Sequence, residues 1–308
     1  MQNDKARFLE RTSCISCGSA NLIQLSSGCF DDDPLRSLIE KDPWGMSPLP
    51  YIAAERWIFV RCAQCSTRFH RRILAPEWIE ICYKDWITQE AMQEYLAPQY
   101  SPDKHFDEAR QRVAHVLRLQ KLTEDLRKGS AVRVLDFGCG WGEFLAMCNH
   151  FGFEGHGVDF APDRRKHGKV SIFPGIEELK HELGDSKTSF HAVTLFEVLE
   201  HLADPLHVLK SLNELMVPSG VLILETPNCT GVEGIQSARD YDKIDPLNHI
   251  NAFVPDSLRR IAGNAGFRPI DRGVAQVTCD MKRVIKTEAT RILGRFPKRT
   301  TQQYFRKI

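Results

Sequence analysis

The sequence predicts a doubly wound, mostly parallel α/β sheet over residues 101–280, with a small metal-binding module in front of it. Three observations lead there. Short, near-continuous apolar runs at 132–136, 154–159, 170–173, 190–196 and 221–225 alternate with helix-period segments; strands covered on both faces read this way, and helical crossovers join them in parallel. The first run ends in Asp136 and three glycines at alternate positions, Gly138, Gly140 and Gly142, a turn that lets a ligand approach the backbone and the N–H groups of the next helix. Two Cys-x-x-Cys pairs, Cys14/Cys17 and Cys62/Cys65, stand within the first 75 residues.

In chain order, residues 1–75 form the first module. Four thiolates can hold one tetrahedral zinc, and Gly18 suits the tight turn that closes a knuckle. The second pair lies between Arg56–Arg61 and Thr67–His70, a strand–knuckle–strand pattern. The 44 residues between the pairs exceed the usual spacing, and Asp31–Pro34 and Asp42–Pro50 read as an inserted loop. A redox pair is the alternative. Residues 76–100 are a connecting segment rich in aromatics (Trp78, Tyr83, Trp86, Tyr95, Tyr100), and Ser101-Pro102 opens a helix with Phe106, Val113, Val116 and Leu117 on its apolar stripe.

The main domain follows, at 101–280. Its glycine pattern, with an acid two positions before the first glycine, differs from the dinucleotide Gly-x-Gly-x-x-Gly, and the acid suits a ligand with a cationic amino-acid end. Asp159 ends the second strand, where such folds place the carboxylate that accepts ribose hydroxyls. A basic turn (Arg164, Arg165, Lys166, Lys169) and helices near 176–183 and 205–216 separate the next strands. The carboxyl-end rule puts Asp136, Asp159 and Glu197 on one rim. Residues 226–250 read as an irregular substrate lid. A helix at 255–265 and final strands from Phe267 complete the domain, with Val274–Thr278 the last apolar run. The remainder, 281–308, is a basic amphipathic tail, either docked by its apolar stripe or open to an acidic partner or membrane surface.

Net charge +1, with 42% hydrophobic and 26% charged residues, gives no global argument for nucleic acid or membrane. The first residues lack an apolar signal core, and no run of about 18 apolar residues could form a transmembrane segment. A cytoplasmic location is expected, with the ten cysteines as thiols or metal ligands.

The residues Leu135–Gly142, Gly157-Val-Asp159, Phe196–Pro205, Gly220–Glu225, Asn248–Phe253 and Ala265-Gly-Phe267 together resemble the class I S-adenosylmethionine-dependent methyltransferases, with a UbiG-like, methyltransferase-23-like catalytic domain. The front module is similar to that of sugar C-methyltransferases. The resemblance implies a seven-stranded Rossmann-like sheet and S-adenosyl-L-methionine as cofactor. It implies cofactor-binding roles for Asp136, Phe137, Gly138, Cys139, Gly140, Gly142, Asp159, Phe160 and Glu197. It also implies a structural zinc at Cys14, Cys17, Cys62 and Cys65.

Glu197-Val-Leu-Glu200-His201 carries the remaining chemistry. In a helix, positions 197, 200 and 201 share one face and could bind a divalent metal, completed by His249. Methyltransferases of quinone biosynthesis and small-RNA 3′ ends resemble this pattern and use such a metal; in other relatives the Glu-His pair caps the helix and lines the pocket. His249 or His201 as general base is the competing role, so His249, His201 and Glu200 are the catalytic candidates. The expected activity is in-line methyl transfer to oxygen or carbon of a small-molecule acceptor such as a sugar, phenol or secondary-metabolite intermediate. The alternatives are an RNA methyltransferase gripping its substrate with zinc module and tail, or a non-catalytic zinc- and cofactor-binding module. Nucleic acid is disfavoured, since neither the Asn/Asp-Pro-Pro-aromatic motif nor a Pro-Cys nucleophile is present.

Overall fold

The computed structural model describes residues 5–97, 101–127, 129, 131–161, 170–184, 190–293 and 300–308. The chain divides into two compact units. A front unit comprises Met1–Ser101, Glu200–Pro205 and Pro227–Ser257; a sheet unit comprises Pro102–Leu199, Leu206–Thr226 and Leu258–Ile308.

In the front unit, strands β1 (Phe8–Glu10) and β5 (Arg72–Leu74) pair antiparallel. Strands β2 (Leu22–Cys29), β3 (Arg56–Cys62), β4 (Arg68–His70) and β11 (Asn251–Ala252) form a sheet in the order β11-β4-β3-β2. Trp57 and Phe59 of β3 turn inward onto Phe30, Leu35, Ile39, Trp78 and Trp86, joined by Val232, Ile235, Tyr241 and Ile244. Three expectations are corrected by this core. The stretch read as an inserted loop supplies the helix Leu35–Lys41, whose Leu35 and Ile39 are buried. The aromatic segment 76–100 is no linker, because Trp78 and Trp86 sit in the core. The expected lid at 226–250 contains a helix, Ala238–Ile244, started by Ser237, whose hydroxyl accepts from the Asp240 amide. No one of these segments is long enough to bury its own apolar residues, so they share a core. The unit boundaries therefore differ from those read at 75, 100 and 280.

His70 is fully buried in this unit, and its Nε2–H donates to the Ile244 carbonyl over 2.7 Å. Burial, aided by the nearby Arg11, pushes the imidazole down to about 4 against that hydrogen bond, keeping it neutral.

The sheet unit has seven strands: β6 (Arg133–Phe137), β7 (Glu154–Val158), β8 (Ser171–Phe173), β9 (Phe190–Phe196), β10 (Met216–Pro227), β12 (Phe267–Ile270) and β13 (Thr300–Lys307). Their order is β12-β13-β10-β9-β6-β7-β8. The pairs β7/β8, β6/β7, β6/β9 and β9/β10 are parallel and β12/β13 is antiparallel. Val134, Leu135, Ala192, Val193 and Val221–Leu224 are fully buried, as an apolar run covered on both faces demands. The chain runs outward from β6 through β7 and β8, then returns to β9 on the other side of β6. The crevice at their carboxyl ends is the switch point where ligands bind in such sheets.

The last strand alters one part of the expected basic tail: Met281–Ile292 is helical, but the chain's end is sheet. Residues 274–278 form no strand, and β13 lies inside the sheet between β12 and β10. Thr301, Gln303, Tyr304 and Phe305 are buried, but Thr-Thr-Gln-Gln-Tyr-Phe shows no apolar run. The terminal cations hold the unit together: Arg306 donates to the Ser219 and Leu122 carbonyls, and Lys307 to those of Asn213 and Met216. The helix Met281–Ile292 precedes β13. The basic turn at 164–169 and Phe296, Arg295, Lys298 and Arg299 lie outside the described residues, as do Pro98 and Tyr100. No described helix is long and apolar enough to cross a membrane.

An interior β13 predicts that Tyr304→Ala, which removes a fully buried ring, lowers unfolding free energy by about 3 kcal/mol in urea titration; a loss below about 1 kcal/mol would place this segment outside the fold.

Candidate functional site

The two cysteine pairs meet. The β2/β3 pairing sets Leu22 opposite Cys62, and the Ala63 amide donates to the Asn21 carbonyl over 2.9 Å. The long interval is thus closed by antiparallel strands rather than left as an open loop. Cys14 and Cys65 Sγ lie 3.4 Å apart, Cys17 and Cys62 Sγ 3.6 Å, and all four within 4.8 Å of one another. Tetrahedral zinc with thiolates at about 2.3 Å puts sulfurs about 3.8 Å apart, so the set fits that ion. The knuckles repeat each other: Gly18 N–H donates to the Cys14 carbonyl and Ser66 N–H to the Cys62 carbonyl, both over 2.9 Å. Each turn needs positive φ, +74° at Gly18 and +60° at Ser66. Burial pushes the Cys14 and Cys17 thiols up, whereas at Cys65 hydrogen bonds with Thr67 and the neighbouring thiols outweigh burial and hold it near about 7.

In the sheet unit, Asp136 is the penultimate residue of β6 and is 3% exposed. Thr194 of β9 donates to its Oδ1 over 2.6 Å. Burial drives the Asp136 carboxyl up to about 7, with the charge of Asp159 adding and Thr194 and Arg112 opposing. A cation placed against it would pull it back down.

Asp159, also buried, follows β7 and organises the loop: Gly140 N–H donates to its Oδ2 and Ala161 N–H to its Oδ1, both over 2.9 Å. Val158 fixes the preceding turn by accepting from both Gly138 and Cys139 amides, over 2.7 and 3.1 Å. The three glycines have positive φ but different surroundings. A Cβ on Gly138 would sit 2.4 Å from Val198, and one on Gly142 2.6 Å from Val170; one on Gly140 would meet nothing within 4 Å. The outer glycines let protein pack onto the loop, and the middle one faces open space. Helix Glu143–His150 starts there, with Glu143 paired to Arg112 over 2.7 Å. Phe137 is buried and stands edge-on, at 6.1 Å, to Phe160, which is largely exposed.

The expected helix from Glu197 is a single 3₁₀ turn, Leu199–His201. Glu197 stands before it at φ +55°, its amide donating to the Glu225 carbonyl over 2.9 Å. The i, i+3, i+4 face therefore does not form, and the three-residue donor group consists of Glu200, His201 and His249, without Glu197. All three belong to the front unit. His201 and His249 rings are 4.8 Å apart between centroids, and His201 Nε2 lies 4.0 Å from Glu200 Oε1. His201 Nδ1 is 2.9 Å from the Asn248 carbonyl and His249 Nδ1 2.7 Å from that of Asp242. Carbonyls only accept, so each Nδ1 bears the proton and each Nε2 presents a lone pair, the arrangement of metal-ligating histidines. Burial lowers both imidazoles, and His201 pushes His249 further, to about 3. That disfavours either ring as a general base, which works best with a pKa near ambient pH, and favours neutral ligands.

Thr194 escaped the sequence reading; its signal was a lone hydroxyl in the apolar run 190–196. Ser66 escaped too, although aligning the knuckles places it opposite Gly18.

The four-sulfur centre predicts about one zinc per chain by metal analysis, absent in the Cys14→Ser/Cys62→Ser double variant; a metal-free, fully folded protein would refute it. For the carboxylate, Thr194→Val removes a bond that favours the charged form, and S-adenosylhomocysteine binding by calorimetry should weaken by about tenfold; unchanged affinity would remove Asp136 from the ligand seat.

A methyltransferase-domain family model matches residues 104–271. The ubiquinone biosynthesis O-methyltransferase of Xanthomonas campestris pv. campestris is 32% identical over 105 residues, covering 32% of this chain and 44% of that protein. The Ruegeria pomeroyi protein of the same name is 30% identical over 161 residues, covering 47% and 64%. The chain thus spans about half the length of these curated relatives. A solved S-adenosylmethionine-dependent methyltransferase from Archaeoglobus fulgidus aligns at 24% identity with a TM-score of 0.43, over 67% of this chain and all of that one.

Proposed function

The chain belongs to this methyltransferase-domain family, and on that premise we propose that it transfers a methyl group from S-adenosylmethionine to an oxygen of a small-molecule acceptor, using a divalent metal at Glu200, His201 and His249. The observation that carries the cofactor assignment is the open side of Gly140 between two buried carboxylates. Asp136 suits the ammonium of the amino-acid end. Asp159, oriented by two backbone amides, suits the ribose hydroxyls. Phe160, exposed beside it, offers a face for a base.

Displacement at a sulfonium methyl needs alignment and a deprotonated nucleophile more than covalent help. A bound divalent ion would lower the pKa of an acceptor hydroxyl as it does that of water. Two histidines with Nδ1 tied to carbonyls and one buried glutamate are a donor set for such an ion that leaves positions for the acceptor. Oxygen rather than carbon is favoured by this donor set and by the names of the two relatives. The zinc centre is assigned a structural role, since four thiolates close its coordination. The RNA reading loses support, because Arg306 and Lys307 of the supposed tail bind carbonyls of their own unit.

Gly140→Arg should abolish S-adenosylhomocysteine binding in calorimetry while the thermal midpoint stays within a few degrees; retained binding would end the cofactor assignment. Separately, Mn²⁺ titrated into chelator-treated, zinc-replete protein should bind once, with affinity falling on the order of 100-fold in His249→Ala. Equal Mn²⁺ affinity in the variant would end the metal assignment and leave the cofactor assignment standing.

A further inference from the structure

The sheet unit contains a second recess that shares no residue with the glycine loop. Arg110, Ala114 and Arg118 of helix Pro102–Leu122 form one wall, segment 274–278 another, and Val284 and Glu288 of helix Met281–Ile292 the third. Arg118 is 5% exposed. Its Nη1 makes one long hydrogen bond, 3.4 Å to the Tyr304 hydroxyl, and its guanidinium lies 5.9 Å over that ring. Its Nε is buried with no hydrogen-bond partner, and among the described residues no carboxylate pairs with it.

The other charges of the recess are already engaged. Arg110 holds Asp107 over 2.9 Å, and Glu288 holds Arg291, which also reaches Asp271. Glu225 accepts from Gln302, which also contacts His115. The surrounding groups register the surplus positive charge. Arg272 is lowered, by burial first and then by Arg118, with Glu288 opposing. His115 is lowered to about 3 by burial, then by Arg118 and Arg272. Burying a guanidinium with so little compensation is costly, and an anion received by it would offset that cost.

We propose that this recess binds a small organic carboxylate, received by the Arg118 guanidinium, with its apolar body against Ala114, Val274, Val277 and Val284. The planar fork of arginine matches two carboxylate oxygens side by side. A cation without a carboxylate partner among the described residues, in a recess lined by valines and alanines together with Gln276 and Thr278, fits a monoanion with an apolar body better than a phosphate, which needs more donors. The carboxylate belongs either to the methyl acceptor or to a free acid. The assignment stands whether or not the methyl-transfer reading holds.

The test is calorimetric titration of the full zinc-loaded chain with benzoate and its neutral isostere benzamide. Benzoate should bind in the millimolar range. Arg118→Met should weaken it about tenfold or more, benzamide should bind as poorly as benzoate does to that variant, and S-adenosylhomocysteine affinity should be unchanged. Val277→Trp keeps the cation and fills the space, and should also abolish benzoate binding, so the result does not depend on one variant folding. Benzamide binding as tightly as benzoate, equal benzoate affinity in Arg118→Met, or no binding by the parent protein would overturn the proposal. Incubation with 3,4-dihydroxybenzoate and methyl-labelled S-adenosylmethionine separates the two sources. Labelled product with KM raised in Arg118→Met identifies the acceptor's carboxylate, and binding without product identifies a free acid; either upholds the recess.

Discussion

The hydrogen bond from the Gly140 amide to Asp159 is the contact on which the proposed ligand seat of the sheet unit depends. It ties the loop after β6 to the residue after β7, so the two carboxylates at the carboxyl ends of these strands are set by the parallel register of their backbones. The register is held by the buried residues of β6 and by Val158 at the buried end of β7, since a one-residue slip would move Val134 and Phe137 out of their packing sites. With Asp159 held by two amides, the loop presents the open side of Gly140 rather than collapsing onto it. Asp136, buried and raised to about 7, is poised to be completed by a cation.

A different constraint shapes the front unit. Its strands are short and its helices shorter, and neither the cysteine knuckles nor the aromatic segment could bury its apolar residues alone. The solution draws 35–39, 78–86 and 232–247 into one core around Trp57 and Phe59. The same core positions the Glu200, His201 and His249 group, because helix Ala238–Ile244 and the turn after it provide the Asp242 and Asn248 carbonyls that orient both rings. The segment read as an irregular substrate lid is therefore part of the scaffold that fixes the candidate metal ligands.

Much of this was legible in the residues. Strands β6 to β10 and their helices fall within a few residues of the apolar runs that announced them, because buried parallel strands and amphipathic crossovers leave strong local patterns. The knuckles were legible from spacing, and Gly18 from the turn chemistry of a cysteine knuckle. The failures share a cause. β13 is built from Thr301, Gln303, Tyr304 and Phe305, whose burial comes from the strands on either side rather than from their own hydrophobicity. The 3₁₀ turn at Leu199–His201 replaced the expected helix because Glu197 takes φ +55° where the chain leaves β9, which no local propensity announces. The engagement of Thr194 with Asp136, and the exposure of Arg118 to a recess rather than to solvent, are products of tertiary packing.

The central claim is that burial holds the Asp136 carboxyl well above the usual carboxylate range and that a ligand's ammonium would bring it back down. Its side-chain carbon shift, followed by NMR through a pH titration, reads this directly. Without ligand the midpoint should lie near about 7; with S-adenosylhomocysteine it should fall by about 1–3 units, as an adjacent cation requires. A midpoint unmoved by the ligand, or already near 4 without it, would contradict the account.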